Sequence, residues 1–100
     1  MIKHIVLFKL APSLREAEKQ ARFLEIKNQL EALIPVIPEL KKMTVGININ
    51  PSETWDFSLE AIVENKHDLG VYASHPAHQA VLNNQIKPFL SERACVDYEF

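Results

Sequence analysis

Four histidines and two tyrosines are the side chains of this 100-residue sequence best suited to moving protons near neutral pH. They are unevenly spread. Tyr72, His75 and His78 share the run Tyr72-Ala73-Ser74-His75-Pro76-Ala77-His78, whereas His4 stands near the start, His67 just ahead of the run and Tyr98 near the end. A phenol can donate a proton to a keto oxygen while an imidazole removes one from carbon, so Tyr72 with His78 could serve an aldol-type cyclisation or an isomerisation. The same two rings could equally do no more than close the mouth of a pocket, and their types and spacing alone leave both readings open.

The other candidates carry the same ambiguity. His4 is either part of a proton relay or substrate anchor, or a core histidine satisfied by a backbone carbonyl or by the hydroxyl of Tyr72 or Tyr98. His75 precedes Pro76 at a helix start, where it either contacts ligand or sets the entry angle of the helix. A zinc site at His75 and His78 needs a third ligand, and neither His4 nor His67 stands at a recognised ligand spacing, so no metal and no cofactor are expected. Cys95 is the one cysteine, cannot form an internal disulfide, and reads as a small core or interface residue without chemistry.

The elements that must position these groups follow from periodicity. Ile2 to Leu10 alternates as a strand, with His4, Val6, Phe8 and Leu10 on one face and Lys3, Ile5, Leu7 and Lys9 on the other. Ser13 to Glu16 fits a capping box opening a helix whose apolar stripe is Phe23, Ile26, Leu30, Leu33 and Ile34, and Pro35 and Pro38 end it. Met43 to Ile49 and Phe57 to Val63 alternate as two strands around the turn cluster Asn50-Pro51-Ser52-Glu53. A short helix capped by Asn65 runs to about Tyr72, a longer one from Pro76 to about Leu90, and Ala94 to Phe100 closes the chain as a strand. In that strand Tyr98 is expected in the core, with Asp97 paired to a basic residue at an outer face.

The order β-α-β-β-α-β predicts an α+β, ferredoxin-like domain over residues 1–100, a four-stranded antiparallel sheet with its helices on one face. The other face carries Ile5, Leu7 and Ile62 among Lys3, Lys9, Asp56, Ser58 and Glu60. Two copies packed sheet to sheet would bury its apolar centre and bring opposite charges together, so a homodimer is expected. Between the sheet and the first helix a pocket is expected, lined by His4, Val6, Phe8, Phe23, Leu24, Leu59 and Ala61, with Tyr72 and His78 at its mouth.

Composition narrows the partners. Eleven basic and thirteen acidic residues give a formal charge of −2 with neither sign gathered in a block, which argues against nucleic acid and against an anionic membrane. Lys3, His4 and Lys9 interrupt the first apolar segment, so it does not read as a signal peptide, and no run approaches the ~20 apolar residues of a membrane span. A cytoplasmic location is expected.

The opening Ile2-Lys3-His4-Ile5-Val6-Leu7-Phe8-Lys9, Ile34-Pro35, Val45-Gly46 with Asn48, Trp55-Asp56, the Tyr-x-x-His-Pro-x-His run and Val96-Asp97-Tyr98 together resemble the stress-responsive A/B barrel (Dabb) family. The resemblance implies a dimeric α+β barrel. The family includes plant stress proteins and a plant polyketide cyclase, whose acid/base Tyr and His match Tyr72 and His78 and whose strand His matches His4. Where that cyclase has large aromatics on the first helix this sequence has Leu24 and Lys27, which implies a different pocket. Three functions follow: a dimeric, stress-associated protein binding a small apolar ligand without strong catalysis, a cofactorless cyclase or isomerase acting on a keto compound through His78 and Tyr72, and, third, a cofactorless monooxygenase. For the third the sequence lacks the strand Asn that such barrels pair with a Trp, and Trp55 falls at a turn.

Overall fold

The computed structural model describes residues 1–100 and contains four strands and three helices. They are β1 (Ile2–Leu10), α1 (Glu16–Glu31), β2 (Lys42–Ile47), β3 (Phe57–Val63), α2 (Lys66–Ser74), α3 (Pro76–Val81) and β4 (Leu90–Glu99). The sheet is antiparallel in the order β2-β3-β1-β4. This is the expected ferredoxin-like arrangement, with β1 central because its alternating apolar set can be covered on one side throughout its length.

That covered side is the core. Val6, Phe8 and Leu10 of β1 and Phe57, Leu59, Ala61 and Val63 of β3 pack against Phe23, Ile26 and Leu30 of α1, and all are buried. Phe8 stacks on Phe57 with ring centroids 4.8 Å apart, and Phe23 tilts onto the same ring at 5.6 Å. Aromatic pairs at these separations add to simple area burial.

Several boundaries depart from the sequence reading, each for a local reason. The cap of α1 forms two residues late: the Arg15 amide donates to the Glu18 carboxylate at 3.4 Å, so Ser13 and Glu16 do not make the box. Ile34 lies beyond the helix end and is exposed, and Leu33, Ile37 and Leu40 fill the core in the turns that follow. The helix begun at Pro76 is not continuous either. After Val81 it widens into a π turn (Leu82–Ile86) and then tightens into a 3₁₀ turn (Lys87–Phe89), where Pro88 lacks the amide that an α-helix would use. Finally β4 starts at Leu90, because Leu90, Glu92 and Arg93 extend the ladder with β1 across an irregularity at Ser91.

The outer edge of β2 is closed by α1. Lys27 donates to the Val45 carbonyl at 2.8 Å and Glu31 accepts from the Val45 amide at 3.1 Å, and the two side chains pair with each other at 2.8 Å. Lys27, which stands where the plant cyclase has a large aromatic, is therefore committed to the sheet edge. The Lys27 ammonium holds the Glu31 carboxyl below its usual range, with the Val45 hydrogen bond assisting.

On the uncovered sheet face lie Ile5, Leu7 and Ile62, joined by Ala94, Val96 and Tyr98 of β4. The charges there pair within the subunit: Lys3 with Glu60 at 3.1 Å and Lys9 with Glu92 at 2.8 Å. Lys3 also sits over the Phe100 ring and Lys9 over Trp55, both at 4.8 Å. Opposite charges thus neutralise each other around an apolar centre. No helix is long and apolar enough to cross a membrane.

Candidate active site

Three aromatic rings form a row on the helix-covered side. His4 projects there by strand alternation from β1, Tyr72 comes from the buried side of α2, and His78 comes from the start of α3. The His4 and Tyr72 centroids are 6.1 Å apart, nearly edge to face, and those of Tyr72 and His78 are 4.3 Å apart. The break between α2 and α3 makes the second contact possible. Pro76 forces His75 into an extended conformation (φ −61°, ψ 132°), and the chain re-enters a helix that folds His78 back over Tyr72.

His75 itself is a cap: its Nδ1 accepts from the Ala77 amide at 3.1 Å, which realises the expected role at the helix start.

The hydrogen bonds define what each ring can do. His78 Nδ1 lies 3.0 Å from the Ala73 carbonyl, which can only accept, so Nδ1 carries the proton and Nε2 keeps its lone pair. Burial lowers the His78 pKa below its ordinary value, with the neighbouring His4 and His75 acting in the same direction. Its neutral form with a basic Nε2 is therefore the form present at neutral pH. Tyr72 is fully buried, its hydroxyl has no hydrogen-bond partner, and burial pushes its pKa well above the ordinary phenol value of 10. It remains a proton donor.

His4 is held by Asp97, not by either tyrosine. The two are cross-strand partners, and His4 Nδ1 is in hydrogen-bond contact with Asp97 Oδ1. Tyr98 consequently points to the uncovered face, where it packs beside Lys3 and Phe100, and Asp97 lies on the helix side. This reverses the expected assignment of both residues. On β4 the helix side is left largely exposed, and there its polar residues stand while its apolar ones share the uncovered face with Ile5 and Leu7. Cys95, given no chemistry in the sequence, stands on that same helix side, with Sγ 3.6 Å from His4 Nδ1 and 3.9 Å from Asp97 Oδ1. His4, Cys95 and Asp97 place one donor atom each within 4.8 Å of the others.

The expected pocket between sheet and α1 is filled. Val6, Phe8, Phe23, Leu59 and Ala61 pack against one another, and Leu24 is 56% exposed on the outer side of α1. An open space lies instead at the sheet edge, in a cleft of about 300 Å³ between the start of α2 and β4, lined by Ile2, Lys66, Leu69, Asp97, Tyr98 and Glu99. Asp97 joins this cleft to His4.

Comparison with known proteins places the arrangement among relatives. The family model described as "Stress responsive A/B Barrel Domain" matches residues 2–100. A curated relative, a stress-response A/B barrel domain-containing protein of Arabidopsis thaliana, is 28% identical over 99 residues. The match takes in 98% of this chain but 36% of the plant protein, so the chain spans about a third of that relative's length. Among solved structures, a dimeric protein of unknown function and ferredoxin-like fold from Bacteroides fragilis superposes with a TM-score of 0.93 at 41% identity, covering 99% of this chain and 95% of that one. A dimeric ferredoxin-like protein of unknown function from Thermobifida fusca superposes at 0.83 with 27% identity, covering 99% and 90%.

Proposed function

The chain belongs to the stress-responsive A/B barrel domain family, and from that premise we propose that it is a homodimer that binds a small carbonyl compound with an apolar body at the His4–Tyr72–His78 row. The single observation that carries this reading is the Tyr72 hydroxyl, fully buried beside two imidazoles and bonded to nothing. An unsatisfied buried hydroxyl costs about 1–3 kcal/mol, a deficit that a ligand carbonyl oxygen accepting its proton removes. The cleft between α2 and β4 adjoins the row through Asp97, the hydrogen-bond partner of His4, with Leu69 and Ile2 supplying apolar contact.

The homodimer reading is supported by the uncovered face, where Ile5, Leu7, Ala94 and Val96 border a shallow apolar hollow ringed by paired charges. It is supported as well by the Bacteroides fragilis relative being described as dimeric. Each subunit then keeps its own row of rings on the side away from the interface.

A second reading, cofactorless acid/base catalysis on the same ligand, is favoured by the tautomer of His78. Nε2 accepts a proton from carbon while Tyr72 donates its proton to the carbonyl oxygen; the protonated Nε2 then returns its proton to another carbon of the enol as the enol O–H gives its proton back to Tyr72. His4, oriented by Asp97, holds the opposite side of Tyr72. Native mass spectrometry of the purified protein tests binding directly. A co-purifying organic molecule that is lost in Tyr72→Phe supports the reading. Retention of the same molecule by both Tyr72→Phe and His78→Ala overturns it.

A further inference from the structure

We propose that His4, Cys95 and Asp97 form a binding site for a divalent transition-metal ion of the zinc class. The three donors are an imidazole nitrogen, a thiol sulfur and a carboxylate oxygen, the set that borderline ions such as zinc and cobalt prefer and that magnesium and calcium do not. A thiolate and a carboxylate balance the charge of a dication, with the neutral imidazole as the third ligand.

The spacing fits. With Zn–N near 2.0 Å and Zn–S near 2.3 Å, donor atoms on a tetrahedron stand about 3.5 Å apart. His4 Nδ1 and Cys95 Sγ are 3.6 Å apart, and Cys95 Sγ and Asp97 Oδ1 are 3.9 Å apart. Only the His4–Asp97 pair must adjust, giving up its hydrogen bond so that the two atoms open to about 3.3 Å around the ion. The backbone need not move, because Cys95 and Asp97 alternate onto one side of β4 and His4 is the strand partner of Asp97.

Surroundings leave room for the remaining coordination position. The site lies on the part of β4 that no helix covers, and Asp97 lines the adjoining cleft, so a water or a ligand oxygen can complete the tetrahedron. Arg93 stands next along the same side of the strand. The site shares His4 and Asp97 with the carbonyl-binding reading but not Cys95, so the Cys95 variants test the metal apart from that reading.

The test uses the full chain, stripped with chelator and titrated with Zn²⁺ by calorimetry and with Co²⁺ by absorption. One ion per subunit is expected, with a thiolate-to-cobalt charge-transfer band and tetrahedral d–d bands. Cys95→Ser should abolish the charge-transfer band and, like Asp97→Asn, weaken zinc binding by at least about tenfold, since loss of a ligand is no smaller an effect than loss of an outer partner. Cys95→Ala, folded by circular dichroism, should behave as Cys95→Ser does. Cobalt binding without a thiolate band, zinc affinity unchanged in Cys95→Ser or Asp97→Asn, or binding lost in His67→Ala overturns the proposal.

Discussion

His4 and Asp97, 93 residues apart in the chain, are strand partners with imidazole and carboxylate in hydrogen-bond contact at one end of a row of three rings. The contact joins the first strand to the last. It ties the candidate site to the β1–β4 ladder, the pairing that brings the two ends of the chain together.

Tyr72→Phe removes a hydroxyl that has no partner and keeps the ring that fills the core. In protein free of organic ligand, the variant should be more stable than the parent by about 1 kcal/mol in urea unfolding, since the penalty for the orphaned group disappears. A loss of similar size would mean that the hydroxyl is bonded in solution.

For His78 the sign of the pH effect follows from its lowered pKa. Folding favours the neutral ring, so between the depressed folded value and about 6.5 the unfolded chain binds more protons, and stability rises with pH. The contribution is complete above about 6.5 and is lost as pH falls from there to the folded value. Replacing His78 with Gln should flatten that slope in denaturant midpoints measured across the window. An equally steep slope would assign it to another group.

Leu7→Glu places a carboxylate in the apolar centre of the uncovered face, beside Ile5, Ala94 and Val96. Sedimentation velocity should show a shift from dimer to monomer or to aggregate. A dimer of parental stability would rule out sheet-to-sheet packing.

Glu31→Gln keeps a side chain of the same shape but removes the charge that pairs with Lys27 and accepts from Val45. The side chains are about a third exposed, so the expected loss is near the lower end for charged hydrogen bonds, about 1 kcal/mol by chemical denaturation. Amide exchange at Val45 should accelerate in the same variant.

The parts of the fold legible in the sequence were those set by local periodicity. The faces of β1 and β3 follow from alternation between Ile2 and Leu10 and between Phe57 and Val63, and the Asn65 cap is realised with its side chain accepting from the Asp68 amide at 2.8 Å. Tyr72 and His78 are close neighbours because the Pro76 break is written in the chain. What could not be read was anything that needed the reach of the helices. Alternation separates Asp97 from Tyr98 but does not say which of them faces the helix side, and no spacing in one segment reveals Cys95 beside His4. The filling of the space under α1 was equally hidden, since Phe23 and Phe57 occupy the volume that a pocket would need, and only packing decides that.

The clamp of Lys27 and Glu31 on Val45 guards one edge of the sheet. Bare amides and carbonyls on an edge strand are a template on which another chain's strand can add, whereas at the middle of β2 the Val45 amide and carbonyl are already taken by side chains of α1. Two side chains of one helix thereby do at this edge what a proline or a bulge does elsewhere.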